Sequence, residues 1–259
     1  MTTSNSIALS NGVSENKKRQ RIRNYFKKPR RLKWAIILLV IGLLMLLSSS
    51  TLGVGLLLLL AGGGWLFFEL KPVMDAPSDK TFDAWLIDDV NYLKKRSLER
   101  LNIDESELIR QSVVIRGPIL WETSGIPAKE IAWKKGKDKR IRFSINAITI
   151  VHLTEHKLSS YQCAYNFIRG VPLNERDDEF HYRDVVAVST RDDSTNYTLP
   201  NGTLMKQAQL FKLSVSSGDS IQALVNSSDL LQFTGGTMPD TGLDDAVKAL
   251  RKVLSEKKI

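Results

Sequence analysis

Cysteine is almost missing from this chain of 259 residues. The one thiol, Cys163, has no partner for an internal disulfide, which suits a reducing compartment. No G-x-S-x-G turn is present, and no Lys-Ser/Thr follows the glycines at 53–64, so neither a nucleophile elbow nor a phosphate loop can be read. Acidic residues are nearly absent before position 34, where only Glu15 occurs. Charge of either sign is absent from Trp34 to Phe68.

That last absence organises the rest. Thirty-five consecutive uncharged and mostly apolar residues have no use in a water-soluble domain of this size, whereas a bilayer demands such a run. As a single helix they would extend about 52 Å at 1.5 Å per residue, against a hydrocarbon core of ~30 Å. Ser48, Ser49, Ser50 and Thr51, followed by Gly53 and Gly55, break the run near its middle. We therefore expect a transmembrane helical hairpin over 34–70, with spans at about 33–48 and 52–69. The alternative is one long tilted span with a glycine-rich exit at Gly62, Gly63 and Gly64. A cleaved signal peptide is not expected, because the apolar run starts late and is too long.

The formal charge of +9 invites a nucleic-acid reading until it is located. Ten of the 37 Lys and Arg, but only one of the 28 Asp and Glu, precede Trp34, which leaves 27 of each sign beyond it. The basicity is an arm beside a span, so residues 1–33 are expected in the cytoplasm, drawn to anionic lipid. Direct nucleic-acid binding is not expected. Residues 1–16 are polar and aperiodic and are expected to be disordered. Ile22, Tyr25, Phe26 and Leu32 interleave with the basic residues, which predicts an interfacial helix within 20–33 that Pro29 interrupts. A hairpin returns the chain to the cytoplasm, so an inner-membrane protein with both termini inside is expected. The sequons at Asn196, Asn201 and Asn226 are read as turns.

Beyond the hairpin, 71–111 reads as a helical connector. Phe82, Trp85, Leu86, Val90 and Leu93 recur at helical spacing, and Asp104 with Glu107 makes a capping arrangement before a short helix to about Arg110. From Ser112 the period becomes alternating, with strands expected at 112–121, 140–151, 158–169, 179–190, 207–216 and 219–226. A last helix over 242–257 carries Leu243, Val247, Leu250 and Leu254 as an apolar stripe. The fold class is therefore α+β: a curled antiparallel sheet over 112–259 whose open end is closed by a C-terminal helix.

Two patterns bear on chemistry. His152-Leu153-Thr154-Glu155-His156 matches H-x-x-E-H, in which two histidines on one helix face share a zinc. Alternating β-branched residues precede it, however, and in a strand the two rings would stand ~13 Å apart. We read an accidental match, expect neither a metal nor another cofactor, and keep a metallohydrolase only as the lesser alternative. Residues 129–142 carry seven cations against Glu130 and Asp138. A basic loop can grip the phosphate of a lipid head group or a nucleotide, and Lys134, Lys135, Lys137, Lys139, Arg140 and Arg142 are the candidate binding residues. The competing reading is a solvated hairpin tip.

The runs 182–188 (YRDVVAV), 211–213 (FKL), 218–221 (GDSI) and 250–254 (LRKVL) together resemble a bacterial pleckstrin-homology-like domain. The stretch 78–258 also resembles an uncharacterised bacterial family that joins such a domain to membrane spans. The resemblance implies a binding or scaffolding domain beside the membrane, without catalysis, and brings no functional residues. In layout the chain is similar to two-span membrane effectors of bacterial anti-phage systems, including some encoded beside retrons. The sequence thus points to a non-enzymatic membrane protein whose cytoplasmic domain senses a ligand or protein partner and signals to the hairpin, as an antiviral-defence effector in one version. In that version any pore would need a homo-oligomer, with Gly42, Gly53, Gly55 and Gly62 allowing close helix contact. The alternative is a membrane-tethered scaffold whose basic loop docks on anionic lipid or protein.

Overall fold

The computed structural model describes residues 14–29 and 31–257, and the chain divides between Ser78 and Asp79 into two compact units. The first contains α1 (Thr2–Phe26), α2 (Leu32–Met45) and α3 (Leu52–Met74). Most of the stretch expected to be disordered lies outside the described residues. The break between α1 and α2 contains Pro29, as the missing amide and fixed φ of proline require. Ile22 and Tyr25 are buried, α1 packs on α3, and Arg21 Nε donates to the Asp75 carbonyl at 3.1 Å.

α2 and α3 lie against each other because three glycines let their backbones meet. A Cβ on Gly55 would stand 2.8 Å from the Gly42 carbonyl oxygen, and one on Gly62 would stand 3.0 Å from Leu39 Cγ. Gly42 is as tight, against Leu59, whereas Gly53, Gly63 and Gly64 face open space. Thr51 Oγ1 donates to the Met45 carbonyl at 2.8 Å and closes the turn. α3, with 23 residues, is long and apolar enough to cross a membrane; α2 is a shorter apolar helix of 14. α2 ends at Met45, before the bound of about 48 expected for a first span, since Leu46 and Leu47 turn through i→i−3 bonds toward the serines. α3 runs to Met74, past the bound of about 69 expected for a second span, because Pro72 removes only one bond of the last turns.

The second unit is α+β. Its strands are β1 (Val113–Pro118), β2 (Trp133–Lys135), β3 (Ile141–Phe143), β4 (Ile145–Leu153), β5 (Lys157–Asn166), β6 (Val171–His181), β7 (Val185–Thr198), β8 (Leu204–Val215) and β9 (Ser220–Asn226). All pair antiparallel: a four-stranded sheet ordered β1-β4-β5-β6, a three-stranded sheet ordered β7-β8-β9, and the separate hairpin β2-β3. The sheets do not close into one ladder. They come together where β1 passes β9, and a Cβ on Gly117 would overlap the Leu224 carbonyl, so only glycine fits there. Ile115, Val151, Leu158, Phe211, Leu213 and Ile221 fill the space between them. α6 (Leu243–Lys257) covers this core with Leu243, Ala246, Leu250 and Val253; a short α5 (Ser228–Thr234) precedes it.

α4 (Asp79–Leu101), within the stretch 71–111 expected as a helical connector, groups with this unit. Its apolar face buries Phe82, Val90, Leu93 and Leu101, and its polar side chains are tied to the four-stranded sheet. Arg96 grips Glu175 on β6 through both guanidinium edges, at 2.9 and 2.8 Å, and Tyr161 Oη donates to the same carboxylate at 2.7 Å. These donors, Arg96 first, hold the Glu175 carboxyl down at about 2. Tyr165 Oη donates to buried Asp89 at 2.9 Å. The short helix expected after Asp104 is a single 3-10 turn, Glu105–Glu107, with the capping box present.

Ser97 on α4 and Ser112 before β1 hold His152 between them, at 2.7 Å from Nε2 and 2.8 Å from Nδ1. The ring is fully buried, and burial, seconded by the charge of Lys94, pushes its pKa down to about 4. Unfolding exposes it to water and restores a value of ~6.5. The unfolded chain thus binds a proton that the native ring refuses, so this contribution to stability is complete above about pH 6.5 and fades as pH falls toward 4. The loss amounts to about 3 kcal/mol over that window. Denaturant midpoints of the full chain in detergent, measured from pH 8 to pH 4, should fall along this course. His152→Gln should flatten the slope between 6.5 and 4. An equal slope in the variant would show that other groups carry it.

Candidate functional site

The basic segment folds into the β2-β3 hairpin, and its tip is a tight turn from Gly136 to Arg140. The Gly136 amide donates to the Arg140 carbonyl at 2.9 Å, and Asp138 accepts from the Arg140 amide at 3.1 Å. Lys139 takes a φ of +66°, and a Cβ on Gly136 would collide with the Arg142 guanidinium. Two neighbours brace the hairpin. Asp79, at the start of α4, accepts from the Lys137 amide at 2.8 Å, and the Thr237 carbonyl accepts from the Ile141 amide at 2.9 Å.

The six cations expected to form one binding surface are divided by this fold. Arg142 turns inward: its side chain is only 4% exposed and bridges two carboxylates. It donates to Asp83 of α4 at 2.8 and 2.6 Å and to Asp138 of the turn at 3.0 and 2.9 Å. The Arg142 guanidinium is the first cause that brings the Asp138 carboxyl down to about 2. Such a doubly forked arginine fixes the hairpin to the helix and has little left to offer an outside anion. Lys134 is half-buried, and burial lowers the pKa of its ammonium. Lys135 Nζ donates to the Gly235 carbonyl at 3.1 Å. Lys137, Lys139 and Arg140 remain exposed at the tip, and the Arg140 guanidinium makes no hydrogen bond or ion pair among the described residues.

Arg140 borders a feature that the sequence did not announce. A cleft of about 240 Å³ opens between the first turns of α4, the β2-β3 hairpin and the segment at 239–240. Phe82, Leu86, Ile141 and Phe143 supply apolar walls, and the cationic lining is Arg116, Arg140 and the already paired Arg142. A small recess beside Met238 and Thr241 shares Leu86, Arg116 and Phe143 with it. The carboxylates that also line the cleft are engaged: Asp83 with Arg142, and Asp240 Oδ1 with the Gly242 amide at 2.9 Å. Arg116 donates to the Asp240 main-chain carbonyl at 2.7 Å. These residues lie more than thirty positions apart in pairs such as Phe82 and Arg116, so no local motif could have gathered them.

The H-x-x-E-H residues are separated. His152 is the buried ring held by two serines, with both nitrogens engaged, so neither lone pair faces a metal. Glu155 is exposed and pairs with Lys257 of α6. His156 is exposed in the turn between β4 and β5. Cys163 is buried on β5, and burial pushes its thiol up to about 12, far from a reactive thiolate. His181, at the end of β6, is exposed.

No family model matches this chain, and no curated protein or solved structure does either.

Arg142 decides whether the hairpin stays on α4. Its two carboxylate partners are about 40% exposed, so the ion pairs are partly screened by solvent. Removing the guanidinium still strands four charged hydrogen bonds, and Arg142→Ala should cost about 2 kcal/mol in denaturant stability. Arg142→Lys should recover only part, since one ammonium cannot fork to both carboxylates. Unchanged stability in Arg142→Ala would show the bridge to be ornamental.

Proposed function

We propose that this chain is a non-catalytic, membrane-anchored binding protein of the bacterial inner membrane. α2 and α3 form its two-span anchor, and the second unit binds a ligand or partner on the cytoplasmic side and passes that state to the anchor. The observation that carries the reading is where the apolar surface lies. Leu43, Leu47, Leu57, Leu60 and Phe68 are each more than 55% exposed on α2, the turn and α3, while the second unit encloses a core of its own. Water penalises such a surface at roughly 25 cal/mol per Å², and lipid does not. At 14 residues α2 spans about 21 Å, short of ~30 Å, so its crossing needs Leu46 and Leu47 of the turn and some local thinning of the bilayer.

A four-stranded and a three-stranded antiparallel sheet around one C-terminal helix support the pleckstrin-homology-like reading of the second unit, with β2-β3 as an insertion between the first two strands of the larger sheet. Membrane effector action draws less support. Gly42, Gly55 and Gly62, which could join helices of different copies, are spent inside one copy.

Alkaline carbonate washing of bacterial membranes tests the anchor. The full chain should stay with the membrane, and a fragment of residues 79–259 should be released. The fragment's behaviour on anionic vesicles separates the two readings of the basic hairpin. With Arg142 turned inward and Lys135 tied to the Gly235 carbonyl, the sensor reading predicts no sedimentation with vesicles at physiological salt. Sedimentation that added salt abolishes would favour the lipid-docking scaffold. Release of the full chain by carbonate would end both readings.

A further inference from the structure

We propose that the cleft beside Arg140 and Arg116 is the ligand site of the second unit, and that its ligand is a small organic anion: one phosphate or carboxylate on a compact apolar or aromatic body. The inference rests on the reading of this unit as a binding module and names its site.

Three observations meet here. The first is shape. About 240 Å³ lies just below the ~300–1,000 Å³ typical of sites for drug-sized molecules, which fits a single ring with one anionic group. The second is the division of the lining. Leu86, Ile87 and Pro239, partly or fully exposed, form an apolar floor over the buried Phe82 and Phe143, and Arg116 and Arg140 stand at the rim. The third is the charge accounting. Asp83 is paired with Arg142, while Asp240 accepts from the Gly242 amide and keeps its charge, so Arg116 and Arg140 together leave one cation in excess at the cleft. Arg116 spends one Nη2 hydrogen on the Asp240 carbonyl, and Arg140 is exposed with no hydrogen bond or ion pair among the described residues. A guanidinium presents five N–H donors in a planar fork that matches carboxylate and phosphate oxygens. The unspent donors thus call for an anion, and the floor calls for a body attached to it. Inorganic phosphate alone would leave the floor uncovered, and a neutral ring would make no use of Arg140, whose only acidic neighbour in the turn is the already engaged Asp138.

The site also has a consequence for the chain's wiring. Its walls include Phe82, Leu86 and Ile87 of the first turns of α4, the helix that follows α3 in sequence after only four residues, 75–78. An occupied cleft would link these turns to the hairpin beyond the Arg142 bridge.

The test uses the full chain in lipid nanodiscs and ligand-observed saturation-transfer NMR, with phenyl phosphate and benzoate as probes and with inorganic phosphate and phenol as half-probes. At least one ring-bearing anion should bind saturably, and about tenfold more tightly than either of its halves. Binding by phenyl phosphate alone would identify a phosphate ligand, and by benzoate alone a carboxylate. Arg140→Gln, whose side chain supports nothing in the fold, should weaken binding about tenfold. Leu86→Trp should block it by filling the cleft while Arg140 is intact. Thermal midpoints of both variants identify any loss that comes from unfolding. Absence of saturable binding to the unaltered chain would overturn the proposal, and so would binding that both folded variants retain. Neither result would touch the carbonate-wash evidence for the anchor, so failure of this site and failure of the membrane reading can be told apart.

Discussion

Thirty-five uncharged residues in succession place the strongest constraint on this molecule. Such a run favours helices that pair its backbone amides and carbonyls internally, and its apolar side chains are stabilised by facing something other than water. The first unit meets the backbone half of this demand with α2 and α3, whose main chains close to contact at Gly42, Gly55 and Gly62. The side-chain half is left to the surroundings, since most of the leucines point outward. On the proposed reading those surroundings are lipid. The basic arm, rich in Lys and Arg before Trp34, then sets which side of the bilayer the chain starts from.

The second unit obeys a different constraint, that of a small α+β core needing a lid. α6 covers the core from one direction with four side chains. α4 is held on the four-stranded sheet by polar contacts as much as by packing: Arg96 to Glu175, Tyr165 to Asp89, Ser97 to His152 and Arg142 to Asp83. Each joins a helix residue to a position more than fifty residues away, so together they fix where the helix lies. That placement creates the cleft, because α4 stands away from the β2-β3 hairpin over Phe82 and Leu86. The proposed site is thus a by-product of how the helix is pinned.

Much of this was legible in the sequence. Apolar periodicity gave α4 and α6, with α6 found to within a residue, because one buried stripe dominates each. β4, β5, β8 and β9 were visible as alternating or β-branched runs. β6 was mostly missed, only its last three residues falling in an expected strand, since Asn174 to Glu179 carry charge on nearly every residue; it is an edge strand whose carboxylates answer arginines of α4. The polar far end of β7, Arg191 to Thr198, was missed for a similar reason: it extends a solvated hairpin. The basic segment was found as a cluster, but sequence could not tell Arg142, which points inward, from Lys139, which does not. That distinction is set by Asp83, fifty-nine positions earlier. The cleft left no local signal, being assembled from α4, β1, β3 and the segment before α6.

The central claim is that two helices carry the chain across a membrane and back, leaving the large unit where it began. Site-specific thiol labelling in intact cells tests it most directly. In a Cys163→Ser background, a cysteine replacing Ser49 in the exposed turn between α2 and α3 should react with a reagent that cannot cross the inner membrane. One replacing Lys248, exposed on α6, should react only after the cells are permeabilised. Reaction at position 248 in intact cells, with protection at 49, would mean a single crossing and an external domain, and would contradict the account.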